Sequence, residues 1–182
     1  MSHLTGKKVA IIAGDWFEEP ELIGPRDRLR EHGAEVKVYS PDGAPIQASE
    51  GDVNPTQKVP VDGSYDDVDV TAIDALVVPG GSVNADHLRM DERAQRLARQ
   101  TDDAGKPLAI ICHGPWLLIS AGRAEGRQVT SWPSLADDLR NAGAKWSDAE
   151  VVVDGNLITS RKPDDLPAFV EAIEAALADP PG

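Results

Sequence analysis

The sequence predicts an α/β fold, a mostly parallel central sheet with helices packed on both faces. Three observations carry this expectation. Short runs such as Ala75-Leu76-Val77-Val78 and Leu108-Ala109-Ile110-Ile111 are apolar at every position, as in strands covered on both sides. These runs alternate with stretches of helical periodicity, and the right-handed crossover rule then gives parallel strands with helices on either face. Finally, 182 residues of which 41% are hydrophobic can bury a core without covalent staples. One domain is expected over residues 1–182, with its core at about 8–177, and no repeat or linker interrupts it.

The elements follow in order. Val9-Ala10-Ile11-Ile12-Ala13 reads as a buried strand ended by Gly14-Asp15. Residues 19–32 read as a helix with Leu22, Ile23 and Leu29 inward, kinked at Pro25 and stopped by Gly33. Glu35-Val36-Lys37-Val38-Tyr39 is a second strand, and residues 40–69, rich in Gly, Pro and Asp, read as turns and short strands, one of them near 58–61. The strand at 75–78 runs into Pro79-Gly80-Gly81, and residues 92–104 form a helix with Ala94, Leu97, Ala98 and Thr101 near one face. The strand at 108–111 leads through Cys112-His113-Gly114 into a helix over 115–121 stopped by Gly122. A helix over 134–142, a hairpin turning at Asp154-Gly155-Asn156 and a closing helix over 164–177 complete the chain.

The formal net charge is −13. No basic face for nucleic acid can be built from so few spare cations, and anionic membranes are disfavoured in the same way. No apolar run has the length of a membrane span, and the start of the chain lacks the pattern of a signal peptide. A lone cysteine forms no internal disulfide, which fits a reducing, cytoplasmic location.

Sites in open α/β sheets lie beyond the carboxyl ends of the strands. Three loops there carry chemistry: Asp15-Trp16-Phe17-Glu18-Glu19, Pro79-Gly80-Gly81-Ser82 and Cys112-His113-Gly114. The third is a strand, a nucleophile, a glycine two residues on and a helix, the pattern of a nucleophile elbow. A cysteine at such a helix N-terminus is favoured as thiolate, although a free cysteine also packs well as a small core residue. His113 reads as a base, an oxyanion donor through its backbone, or a surface histidine. Gly80 and Gly81 let backbone N–H groups approach an anion, as an oxyanion hole requires, or simply make a turn. Glu18 or Glu19 could reach the sulfur, with its pKa raised, or serve as ordinary helix-start carboxylates. Trp16, Trp116 and Trp132 are candidates for the walls of a pocket or for the core. The histidines His3, His32, His87 and His113 show no metal-ligand spacing, and no phosphate loop is present. No metal and no cofactor is expected.

Taken together, the segments Phe17-Glu18-Glu19-Pro20-Glu21-Leu22-Ile23, Ala75-Leu76-Val77-Val78-Pro79-Gly80-Gly81, Gly105-Lys106-Pro107-Leu108-Ala109-Ile110-Ile111-Cys112-His113-Gly114-Pro115, Thr130-Ser131-Trp132-Pro133 and residues 148–156 resemble the PfpI family. This is a group of intracellular cysteine hydrolases and stress proteins within the glutamine-amidotransferase-like superfamily. The resemblance implies a flavodoxin-like three-layer sandwich, a Cys112 nucleophile, Glu18 as the carboxyl bonded to it, and His113 as its partner. It also implies that Asp86, in the loop 82–86, orients His113 from a neighbouring subunit of a homodimer or larger homo-oligomer. That loop is one residue longer than usual, and Asp stands where Glu is commoner. The expected function is a stress-protective cysteine hydrolase or deglycase acting on a small carbonyl or peptide substrate. The alternative is a redox-responsive protein in which Cys112 is oxidised to sulfenate or sulfinate without turnover.

Overall fold

A computed structural model describes residues 3–179. Its strands and helices follow in chain order. The first part runs β1 (Lys8–Ile12), β2 (Phe17–Glu18), α1 (Glu19–Glu31), β3 (Glu35–Ser40), β4 (Ile46–Glu50), β5 (Asn54–Val59), β6 (Gly63–Ser64) and β7 (Ala75–Val78). The middle runs α2 (Ser82–Met90), α3 (Glu92–Asp103), β8 (Leu108–Ile111), α4 (Trp116–Ser120) and β9 (Gln128–Val129). The chain closes with α5 (Ala136–Asn141), β10 (Lys145–Trp146), β11 (Val151–Asp154), β12 (Leu157–Ser160) and α6 (Leu166–Ala178).

Among the described residues the main sheet has seven strands, in the order β11-β12-β8-β7-β1-β3-β6. All pairings are parallel except β11 with β12, the expected hairpin. Alternate strand residues feed two cores, as a pleat of period two dictates. Val9, Ile11, Val36, Val38, Val77, Ala109 and Ile111 pack with Leu22 and Leu29 of α1 and with Phe169, Ile173 and Leu177 of α6. On the other face Ala10, Ile12, Leu76, Val78, Leu108 and Ile110 meet Leu88, Leu97, Leu117 and Leu139 of α2 to α5. The result is the expected three-layer sandwich.

Chain order reverses between β1 and β7. From β1 the chain crosses through α1 to β3 on one side, while from β7 it crosses through α2 and α3 to β8 on the other. The loops after β1 and β7 therefore diverge and leave a crevice at the carboxyl ends of the strands, and the loop after β8 lies next to it.

Several expectations change in detail. Helix α1 continues through the buried Pro25. The region 40–69 contains a hairpin, β4 with β5, which pairs with β2 as a small separate sheet. The helix expected over 134–142 is Ala136–Asn141, preceded by a 3-10 turn at Pro133–Leu135. The segment expected to be a loop, 82–86, is the start of α2, whose inward face is Asn84, Ala85 and Leu88. A buried Asn in that stripe and a left-handed Gly81 at the N-cap (φ 89°) hide its helical period. No helix of the described residues is long and apolar enough to cross a membrane.

Candidate active site

Cys112 leaves β8 with φ 64°, the left-handed region that a side chain rarely adopts. The turn holds it there by three backbone bonds. Cys112 N–H donates to Ser160 O at 3.0 Å, Gly114 N–H donates to Ile111 O at 3.0 Å, and Cys112 O accepts from Trp132 N–H at 2.8 Å. A Cβ on Gly114 would lie 2.6 Å from Ile110 Cγ2 and 2.9 Å from Ile111 O, so the elbow requires glycine there. Trp16 (φ 63°) and Asp52 (φ 67°) are the other non-glycine residues with positive φ among those described; Asp52 lines the cavity around Cys112 and the Trp16 carbonyl abuts Gly81. Backbone strain is thus concentrated around Cys112.

The carboxyl at the sulfur is that of Glu21, which corrects the expectation of Glu18. Glu21 is wholly buried on the inward stripe of α1 with Leu22, Pro25 and Leu29. Its Oε2 accepts the Gly80 N–H at 2.7 Å, and Oε1 has no nitrogen or oxygen partner among the described residues. What the carboxyl faces is Cys112. Burial pushes its pKa up to about 8, helped by the charges of Glu18 and Asp52, so at neutral pH it holds a proton. Glu18 instead accepts N–H bonds from Gly51 at 2.9 Å and Asp52 at 3.2 Å, fastening the β4–β5 hairpin tip over the crevice. Glu19 turns to the Thr56 hydroxyl and to Gln57 of β5, and the Thr56 bond holds its pKa low. The physical reason is helical geometry: Glu18 is the N-cap of α1, and the residue three further on returns to the inward face. An acid in an apolar stripe was the available signal.

Cys112 is 5% exposed. Burial pushes its thiol pKa up and the Glu21 carboxylate, once ionised, adds to this, whereas the Gly81 and His113 N–H groups, directed at the sulfur, work the other way. The enclosed thiol is therefore not the passively low-pKa thiolate expected from a helix N-terminus, since desolvation outweighs the dipole of a five-residue helix.

His113 lies beside it after all, with Nδ1 3.3 Å from Sγ. Its ring stacks on Trp132, with centroids 5.7 Å apart and planes inclined by 21°, and meets Trp116 edge-on at 5.5 Å. Burial lowers its pKa against the pull of Asp52, so the imidazole is neutral near pH 7 and able to accept a proton.

Gly80 lies against Cys112, but its N–H is given to Glu21 and is not open to substrate, as an oxyanion donor would have to be. A Cβ there would sit 2.5 Å from both Cys112 Cβ and Glu21 Oε2; one on Gly81 would sit 2.5 Å from Trp16 O. The N–H groups that converge on the sulfur are those of Gly81 and His113. Asp86 is exposed on α2 and does not line the cavity around Cys112. That cavity is about 200 Å³, lined by Glu18, Glu21, Gly51, Asp52, Cys112, His113, Trp132 and Pro163. Sequence reasoning missed Asp52, whose Oδ1 accepts the Ser82 N–H of α2 at 2.7 Å; nothing in the sequence marks a residue at a hairpin tip as a neighbour of Cys112. Away from this site, the fold also gathers His3, His32 and Glu174, which no sequence spacing announced.

The model of the DJ-1/PfpI family matches residues 7–176. A protein of Thermococcus kodakarensis, "Deglycase TK1284", is 46% identical over 163 residues, covering 90% of this chain and 95% of its own. "General stress protein 18" of Bacillus subtilis is 41% identical over 166 residues, covering 90% and 94%. Among solved structures, Drosophila melanogaster DJ-1beta superposes with a TM-score of 0.86 at 31% identity, covering 94% of this chain and 90% of that one. A two-domain protein of Anabaena variabilis, with DJ-1/ThiJ/PfpI-like and ferritin-like domains, gives 0.87 at 35% identity; the chain covers 48% of it. With nearly its whole length matched and an elbow cysteine in the crevice of its sheet, the chain belongs to the DJ-1/PfpI family.

Proposed function

We propose that this protein is a stress-protective enzyme of the deglycase type that uses Cys112 as nucleophile on the carbonyl carbon of a small adduct or peptide. The observation that carries the reading is the pairing of Cys112 Sγ with His113 Nδ1 at 3.3 Å, above a protonated Glu21. Relatives named as deglycases, at 46% and 42% identity over 90% of this chain, support it.

In this mechanism neutral His113 takes the Cys112 proton as the sulfur attacks, and the carbon–sulfur bond forms as the carbonyl π pair moves to oxygen. The N–H groups of Gly81 and His113 supply donors for the developing oxyanion. Glu21, protonated, donates to the sulfur and holds it in line. On an amide the oxyanion re-forms the carbonyl, the carbon–nitrogen bond breaks as His113 returns its proton to the leaving amine, and water then cleaves the acyl–sulfur bond. A carbinolamine adduct instead parts into amine and α-oxo aldehyde. The sulfur adds to the aldehyde carbon as a hemithioacetal, a proton shift between the two carbons gives an α-hydroxy thioester, and water cleaves it. The cavity of about 200 Å³ is below the usual range for drug-sized ligands, which favours a small carbonyl group over a long peptide.

The test is the release of free amine from a glycated peptide by the wild type and by Cys112→Ser. The reading expects a loss of at least about 10³-fold in the variant. Equal rates would overturn it. A stable sulfinate at Cys112 after mild peroxide, with no turnover of any carbonyl substrate, would favour the redox alternative instead.

A further inference from the structure

We propose that His3, His32 and Glu174 form a binding site for a zinc-like divalent cation at the far end of α1 from Cys112. One ring nitrogen of each histidine and one carboxylate oxygen of Glu174 lie within 4.8 Å of one another. The three residues come from separate parts of the chain. His3 precedes β1, His32 is the C-cap of α1, and Glu174 lies on α6. Helix α1 is 13 residues long, so its ends, one beside the thiol and one beside this cluster, are about 20 Å apart.

Two imidazoles and one carboxylate are a donor set that zinc takes readily, with the fourth position left to water. The geometry is close to what such a site needs. His32 Nδ1 is 2.6 Å from Glu174 Oε1, and the rings of His3 and His32 have centroids 4.9 Å apart, inclined by 48°. Donor atoms bound at about 2.0–2.2 Å in a tetrahedron stand about 3.3 Å apart. Spacings of 2.6 to 4.8 Å bracket that value, and side-chain rotations of the order of an ångström would close the site.

The surroundings favour a cation. Glu174 is 8% exposed, which holds its carboxylate in one place. Arg28 binds the same carboxylate, Nε to Oε1, the oxygen that His32 also meets, at 3.1 Å and Nη2 to Oε2 at 3.4 Å, orienting the ligand as an outer-shell partner does. The guanidinium is in turn faced by Glu31 and Glu171, the latter at 3.8 Å, so three carboxylates surround one arginine. A bound cation would tie the segment before β1 to α1 and α6, two helices that already pack together.

The experiment is a calorimetric titration of metal-stripped protein with Zn²⁺, using Co²⁺ absorption as a second readout of low-coordinate ligation. One equivalent should bind to the wild type and equally to Cys112→Ser. His3→Gln and His32→Gln should each weaken binding about ten-fold or more. His3→Gln leaves the Arg28–Glu174 contact intact, and equal urea unfolding of the metal-free variant and wild type separates its effect on binding from one on folding. The proposal fails if no saturable binding occurs, if His3→Gln binds as tightly as the wild type, or if Cys112→Ser abolishes binding.

Discussion

At the scale of the residue, the site is a coupled pair of buried acids, Glu21 and Cys112. Folding raises Glu21 from an ordinary carboxylate value to about 8. The folded state therefore keeps a proton that the unfolded chain releases above about pH 4.5. Glu21 is stability-neutral below that pH, costs progressively more as pH climbs, and costs most once pH passes its folded value. Glu21→Gln keeps an acceptor for Gly80 N–H and a donor for the sulfur but cannot ionise. Its stability relative to the wild type, measured by urea unfolding at pH 5, 6.5 and 8, should rise steadily over this range, toward a limit of roughly 5 kcal/mol. A difference that stays flat with pH would mean that Glu21 ionises normally. The same substitution removes the carboxylate charge that opposes thiolate formation. The midpoint of Cys112 alkylation by iodoacetamide should then move to lower pH by on the order of one unit, whereas Glu18→Gln, whose carboxyl is bonded to the hairpin tip, should move it less.

At the scale of the element, the crevice is pinned by α2. Asn84 is fully buried and joins three segments. Its Oδ1 accepts Gly14 N–H at 2.7 Å after β1, and its Nδ2 donates to Gly80 O at 2.9 Å and Pro79 O at 3.3 Å after β7. Asn84→Ala leaves a buried N–H without a partner and frees the loop that carries Gly80 and Gly81. Stability should fall by roughly 2–4 kcal/mol, with slower Cys112 alkylation at fixed pH under conditions where the variant remains folded. Unchanged alkylation would show that the loop keeps its place without this bridge. The β4–β5 hairpin is held through Glu18 and Asp52 on one side and Gln47 N–H to Asp15 Oδ1 at 2.8 Å on the other, so its tip covers the thiol as part of the same hydrogen-bonded frame.

At the scale of the whole molecule, the open question is what faces His113 from outside. Asp86 is exposed on α2 and outside the cavity of its own chain, so an acid from this position has to come from a second copy. If it does, two inactive proteins should complement each other. Asp86→Asn supplies an intact thiol, Cys112→Ser supplies an intact Asp86, and a mixture refolded together should regain up to about a quarter of wild-type turnover per site on statistical pairing. A mixture as inactive as its components, with sedimentation showing mixed oligomers, would assign Asp86 to the surface alone. Exposed Val53 and Val83, near the Asp52–Ser82 contact that joins hairpin and helix, belong to the face such a copy would cover.

The sequence by itself determined the layered α/β fold, the parallel core strands and the elbow at Cys112. These depend on local periodicity and on residue types within one segment: all-apolar runs of four or five residues, glycines at helix ends, a nucleophile between strand and helix. The resemblance of five segments determined the family. What the sequence left open depends on three-dimensional neighbours. The tertiary structure decided that Glu21 rather than Glu18 meets the sulfur, because only the packing of α1 against the sheet defines which carboxyl faces inward. It decided that Gly80 spends its N–H on that carboxyl, that Asp52 reaches the site from a hairpin tip, and that His3 and His32 meet on Glu174 although 142 residues separate His32 from its partner. It also reversed the sign expected for the thiol, since the dipole of a helix can be read from a sequence but the desolvation that opposes it is set by burial, a property of the folded whole.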